Sequence, residues 1–135
     1  MINAKSIKKN KFNYLFHFSI CTIVNDSAEY EVMKKSFEEK GFVAGCEYLF
    51  ADNTAGNQFD AYEAISHFLK LAKGEYILLI HQDVRAVDAK SELEICLQEL
   101  NTKDKNWAIC GNAGAKGYHE DIIYIDNGSA KKLYP

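Results

Sequence analysis

The side chains best suited to chemistry are His81, Gln82 and Asp83, which follow directly on the apolar run Tyr76-Ile77-Leu78-Leu79-Ile80. A buried strand ending abruptly in an imidazole and a carboxylate would present both at the rim of a sheet. Asp83 suits Mg2+ or Mn2+, hard cations that prefer oxygen ligands and keep phosphate oxygens and water in their shell. Such an ion neutralises the charge that builds on a leaving diphosphate. The other common use of an aspartate at this point is to cap the following turn through its side chain, and spacing alone leaves the two uses even. His81 would add a second metal contact or, as a lone histidine after an apolar strand, pack and hydrogen-bond locally. Strand alternation points Gln82 to the side opposite both.

A second polar cluster, Asp52-Asn53, follows the short apolar stretch Glu47 to Ala51 and opens a run of turn formers, Thr54-Ala55-Gly56-Asn57. Asp52 would accept hydrogen bonds from a nucleobase or ribose, with the backbone of Ile23 to Asn25 walling the same pocket. Its alternative is to serve as a loop opener.

These clusters need elements to hold them. Tyr14 to Val24 is rich in β-branched and aromatic residues; it predicts a strand with Phe16, Phe18, Ile20 and Thr22 on one face and His17, Ser19, Cys21 and Ile23 on the other. Asp26 followed by Glu29 reads as a capping box opening a helix whose apolar stripe is Tyr30, Met33 and Phe37, with Gly41 as its left-handed cap. Ala61, Ile65, Phe68 and Ala72 recur at helical spacing before Gly74, and the run Tyr76 to Ile80 reads as a strand covered on both faces, the mark of a parallel sheet. Leu93, Cys96, Leu97 and Leu100 predict a third helix, Trp107 to Cys110 a fourth strand, and Ile122 to Ile125 a fifth. Alternating strands and helices imply an α/β fold, Rossmann-like, with a mostly parallel, doubly wound sheet and helices on both faces. Ligands of such sheets bind beyond the carboxyl ends of the strands. Asn25-Asp26, Asp52-Asn53, His81-Gln82-Asp83 and Gly111-Asn112 all fall at those ends.

Composition narrows the classes. The 135 residues are 47% hydrophobic with one proline, which excludes a disordered chain. A net charge of -3 argues against a nucleic-acid surface, which needs clustered Lys and Arg. Residues 1–13 read as a polar, basic leader carrying Lys5, Lys8, Lys9 and Lys11, and residues 14–135 as a single α/β domain. No apolar run reaches the roughly 20 residues of a membrane span. Cys21, Cys46, Cys96 and Cys110 are too far apart for a zinc or redox pair and read as small buried hydrophobes of a reducing cytoplasm.

Four segments, SICTIVND, YLFADNTAGN, FDAYEAISHFLKLAKGEY and ILLIHQDV, stand in order between about residues 14 and 115. Through them the chain resembles the family 2 type of glycosyltransferase, within it the bacterial rhamnosyltransferase-like group, where His-Gln-Asp replaces the Asp-x-Asp signature of other GT-A enzymes. The resemblance implies a GT-A nucleotide-diphospho-sugar transferase fold. It makes Asp83 the metal-binding aspartate, with His81 beside it, and Asp52 the nucleoside-binding one. Ile23, Asn25, Asn53 and Gln82 complete the implied nucleotide-sugar contacts. It further implies Mn2+ or Mg2+ as cofactor, a nucleotide diphosphate sugar and a glycan acceptor as partners, and a cytoplasmic location at the inner face of the membrane. Tyr62-Glu63-Ala64 departs from the Tyr-Asn-small pattern of the family. The family's catalytic base lies further beyond the metal site than His119-Glu120-Asp121, which reads as a solvated turn. The expectation is therefore a donor-binding half without its base. A binding module that holds a nucleotide sugar without turnover is the alternative. An unrelated phosphate-binding α/β domain is weaker, because IVNDS stands where a Gly-rich phosphate loop would follow the first strand.

Overall fold

The computed structural model describes residues 13–111 in full and, of residues 114–119, 122–126 and 132–133, the backbone. The expected leader lies almost wholly outside the described residues. Two compact units divide the chain, Met1–Glu94 and Ile95–Pro135.

The first unit is built on β1 (Phe16–Val24), α1 (Ser27–Glu39), β2 (Cys46–Asp52), α2 (Ala61–Leu71) and β3 (Gly74–Leu79). The three strands are parallel, in the order β2-β1-β3. The alternation read from β1 separates two cores. Ile20 and Val24 join Tyr30, Met33 and Phe37 of α1 and Phe42 on one face, while Cys21 joins Ala51 of β2 and Ala64 and Phe68 of α2 on the other. Helices thus cover both faces of a sheet whose central strand is the most apolar.

Local signals end these elements where the residue types require. Asp26 Oδ1 accepts the N–H groups of Ala28 and Glu29 at 2.9 and 3.1 Å, opening α1. Its far end is a Schellman motif: Gly41, at φ +91°, donates to Glu38, and Phe42 donates to Phe37, whose ring packs on the Phe42 ring at 5.1 Å. Asp60 caps α2 through the Glu63 N–H at 2.8 Å.

At the amino end of β3, strand and neighbour come unusually close. Gly74 N–H donates to Ser19 Oγ at 2.8 Å, and Ser19 Oγ donates to Glu47 Oε1 at 2.6 Å, which also takes the Lys73 N–H. A Cβ on Gly74 would lie 2.5 Å from Ser19 N and 2.7 Å from the Phe18 carbonyl carbon, so only glycine fits.

One expectation about the strands needs correction. Trp107 to Cys110 forms no strand, and Ile109 is 93% exposed. An apolar run becomes a strand only where a neighbour offers a hydrogen-bond ladder, which the pattern of a single segment does not report. Among the described residues β3 is consequently an edge of its sheet, yet it is covered on both faces as expected, Ile77 and Leu78 turning inward to opposite cores while Leu79 is 55% exposed.

α3 (Lys90–Lys103) begins in the first unit, where the Lys90 N–H donates to the Lys40 carbonyl and Leu93 packs on the α1-side core. In the second unit, Trp107 Nε1 donates to Asn101 Oδ1 at 2.7 Å. There β4 (Gly114–His119), β5 (Ile122–Asp126) and β6 (Lys132–Leu133) form an antiparallel sheet in the order β4-β5-β6. The strand expected at Ile122 to Ile125 is therefore present, in a sheet of its own. No helix among the described residues is long and apolar enough to cross a membrane.

Candidate functional site at the carboxyl edge of the parallel sheet

In the order β2-β1-β3 the chain leaves β1 toward one side and returns from β2 to the other, so the winding reverses at β1. A crevice at the carboxyl end of the strands is the usual ligand site of such a sheet. Asp52 closes β2, and Asn25 and the His81–Asp83 turn follow the ends of β1 and β3. The register aligns Val24 with Asp52, while the Ile80 N–H makes its bond to Cys21 O at 3.0 Å.

Asp52 is exposed, and its Oδ1 accepts from both the Thr54 N–H and the Thr54 hydroxyl, at 2.9 and 2.6 Å. These bonds favour the charged form and hold its carboxyl below the usual carboxylate range. Here the loop-opening use of aspartate is realised, by an acceptor that stays anionic at the rim. Asn53 plays a different part from the contact expected of it. It is 8% exposed, its Oδ1 takes the N–H groups of Gln58 and Phe59, and its Nδ2 donates to the Phe59 carbonyl, all at 2.9 Å. The side chain thereby shapes the loop beyond β2. Ile23 is half-buried against the α2-side core and lies within β1, paired with Ala51 of β2.

Gln82 overturns the alternation argument. β3 ends at Leu79 and residues 81–84 form a turn closed by Val84 N–H to His81 O at 3.2 Å, so the two-residue period of a strand no longer applies. Gln82 Oε1 accepts the N–H groups of Asn25 and Asp26 at 2.9 and 3.1 Å, and its Nε2 donates to Asn25 Oδ1. The capping box is correspondingly incomplete. Glu29, expected to reach back to Asp26, instead pairs with Arg85, and Gln82 takes the Asp26 N–H in its place.

Arg85, the single arginine of the chain, was not singled out by the sequence. Its guanidinium also donates to the carbonyls of Gln82 and Val84 at 3.3 and 3.0 Å. A lone cation two residues after a carboxylate was the available signal, but Glu29 lies too far away in sequence to suggest the pair.

His81 and Asp83 are exposed at the tip of this turn, and no described residue pairs with either side chain. Among the described residues no group of three His, Cys, Asp or Glu side chains converges on a metal position. The donor set fits a cation held chiefly by its ligand: one carboxylate, with an imidazole nearby, suits Mg2+ or Mn2+ that keeps water and phosphate oxygens. His119-Glu120-Asp121 and Gly111-Asn112 fall partly or wholly outside the described residues.

No family model matches the chain. Over 100 residues it is 37% identical to a protein of Fuscovulum blasticum named "ATP synthase subunits region ORF 6". The matched part is 73% of this chain and 40% of that protein, so the chain spans about two-fifths of the length of that curated relative.

Proposed function

We propose that the chain is the donor-binding part of a glycosyltransferase that moves a sugar from a nucleotide diphosphate sugar to a glycan acceptor in the cytoplasm. The observation that carries this is the rim itself: the ends of three parallel strands bring Asn25, Asp52 and the Asp83 turn to one edge, at the point where the winding reverses. The His-Gln-Asp resemblance and the shared edge together support the reading.

Each residue then has a task. Asp52, kept anionic by Thr54, accepts from the nucleoside, with the backbone of Ile23 to Asn25 as the pocket wall. Asp83, with His81 beside it, would hold Mg2+ or Mn2+ against the diphosphate. That ion, when bound, neutralises charge on the departing nucleotide. The rim otherwise carries Asp26, Glu29, Asp52 and Asp83 against one guanidinium, and Arg85 is already engaged by Glu29. A diphosphate therefore needs a further positive charge to settle there.

The test is thermal unfolding with UDP, GDP, CMP and dTDP, each with and without Mn2+. At a ligand concentration about 100 times Kd the stabilisation is about 2.7 kcal/mol, a shift of several degrees. One nucleoside diphosphate should shift Tm more with Mn2+, and Asp83→Ala should remove the Mn2+ increment. A panel with no shift, or a shift indifferent to both ion and substitution, refutes the proposal.

A further inference from the structure

We infer that Gln82 is a positioning residue: it ties the Asp83 turn to the start of α1, so that the diphosphate end and the nucleoside end of the site are set as one piece. The inference rests on the donor-binding function proposed above.

After Ile80 the chain leaves the sheet, and the turn at 81–84 has one backbone bond of its own. An exposed turn so lightly closed opens locally at little cost. Two ties prevent this, one on each side of Asp83. Before it, Gln82 bonds the two residues that lead into α1, with its carbonyl on the N–H groups of Asn25 and Asp26 and its NH2 on Asn25 Oδ1. After it, Arg85 bonds the carbonyls of Gln82 and Val84 and reaches Glu29 in the first turn of the same helix. The carboxylate between them makes no described contact, so the turn is held while its ligand stays available. A metal ligand gains affinity when residues behind it fix its orientation.

The chemistry selects glutamine. One carbonyl oxygen has two lone pairs for the two N–H groups, and the same side chain supplies a donor for Asn25. Asp26 Oδ1 is taken by the N–H groups of Ala28 and Glu29, and the acceptor for the Asp26 N–H comes from Gln82. Methionine keeps the length of Gln82 and loses every bond. Glutamate keeps the acceptor, and the Asn25 amide can reverse to donate to it.

The experiment compares wild type, Gln82→Met, Gln82→Glu and, as a control weakened at the opposite end of the sheet, Ser19→Ala. Calorimetric Kd values for UDP, GDP, CMP and dTDP are measured with and without Mn2+, and amide exchange is followed at Asn25 and Asp26 without ligand. Gln82→Met should lower the Mn2+ enhancement of nucleotide affinity by about 10–100-fold, as removal of an orienting partner does. It should also speed exchange at both amides. Gln82→Glu should retain most of the enhancement, and Ser19→Ala should leave it unchanged despite a lower Tm. Wild-type enhancement in Gln82→Met, or unaltered exchange at Asn25 and Asp26, overturns the inference. A wild-type protein with no Mn2+ enhancement for any nucleotide overturns the donor-binding function and the inference with it. The exchange rates tell the two failures apart because they need no ligand.

Discussion

Replacing Gly74 by alanine puts a methyl group where the sheet has no room. The added carbon would stand 2.5 Å from Ser19 N, 2.6 Å from Ser19 Oγ and 2.7 Å from the Phe18 carbonyl carbon. Two of these three atoms belong to the backbone of the central strand, so no rotamer relieves them. Overpacking of this kind costs about 1–3 kcal/mol, and the upper part applies when backbone must move. The shift also strains the buried bond from Gly74 N–H to Ser19 Oγ, and a buried donor left unpaired costs about 1–3 kcal/mol more. Against this, alanine restricts the unfolded chain and returns about 0.4–1 kcal/mol. The net loss is about 2–5 kcal/mol, seen as a fall in Tm of at least about 6 °C for a chain of this size. Differential scanning calorimetry on Gly74→Ala and on Gly74→Ala with Ser19→Gly decides the mechanism. The double variant removes Oγ but leaves the two backbone contacts, so it should recover only a minor part of the loss. A single variant melting within about 2 °C of wild type, or full recovery in the double variant, would refute the backbone clash.

Asp52→Asn keeps an acceptor for Thr54 and removes the charge; it should weaken nucleoside binding by roughly 1.5–3 kcal/mol, about 10- to 100-fold in Kd, while leaving the Mn2+ enhancement intact. Calorimetry giving the wild-type Kd would remove Asp52 from the site. Cys21, pushed up to about 12 first by burial and then by the nearby Glu47 charge, should resist iodoacetamide at pH 8 in the folded protein while the exposed Cys96 and Cys110 react. Because its pKa is higher folded than unfolded, its contribution to stability is complete below about pH 9 and is lost as the pH climbs toward 12. Denaturant titrations of Cys21→Ala against wild type should therefore diverge in slope only above pH 9; parallel curves across that window would show that the thiol is not buried.

Much of the first unit was legible because its signals are local. The two faces of β1, the stripe Tyr30, Met33 and Phe37, the Asp26 cap and Gly41 each depend on residues a few positions apart. The polar ends of the strands were legible too, since a change from apolar to turn-forming residues marks them. What escaped were partnerships across long separations. Glu29 offered a local use in a capping box and found Arg85 instead. The two-residue period assigned to Gln82 belongs to a strand that has already ended, and its partners stand far away in sequence, between β1 and α1. The fourth strand failed for a related reason. Trp107 to Cys110 has strand composition, but pairing is a property of two segments and the sequence shows one at a time.

Asn53 gives the loop after β2 an unusual division of labour. Its amide fastens the base of the loop to residues 58 and 59, directly ahead of the α2 cap at Asp60, while Thr54 to Asn57 stay exposed. Strand-to-helix geometry is therefore decoupled from the tip: the two ends are closed by one side chain whatever the chain between them does. Closure entropy grows only slowly with loop length. The tip is thus the part of the rim where related proteins can lengthen, shorten or exchange residues and so vary what they recognise, while β2 and α2 keep their places.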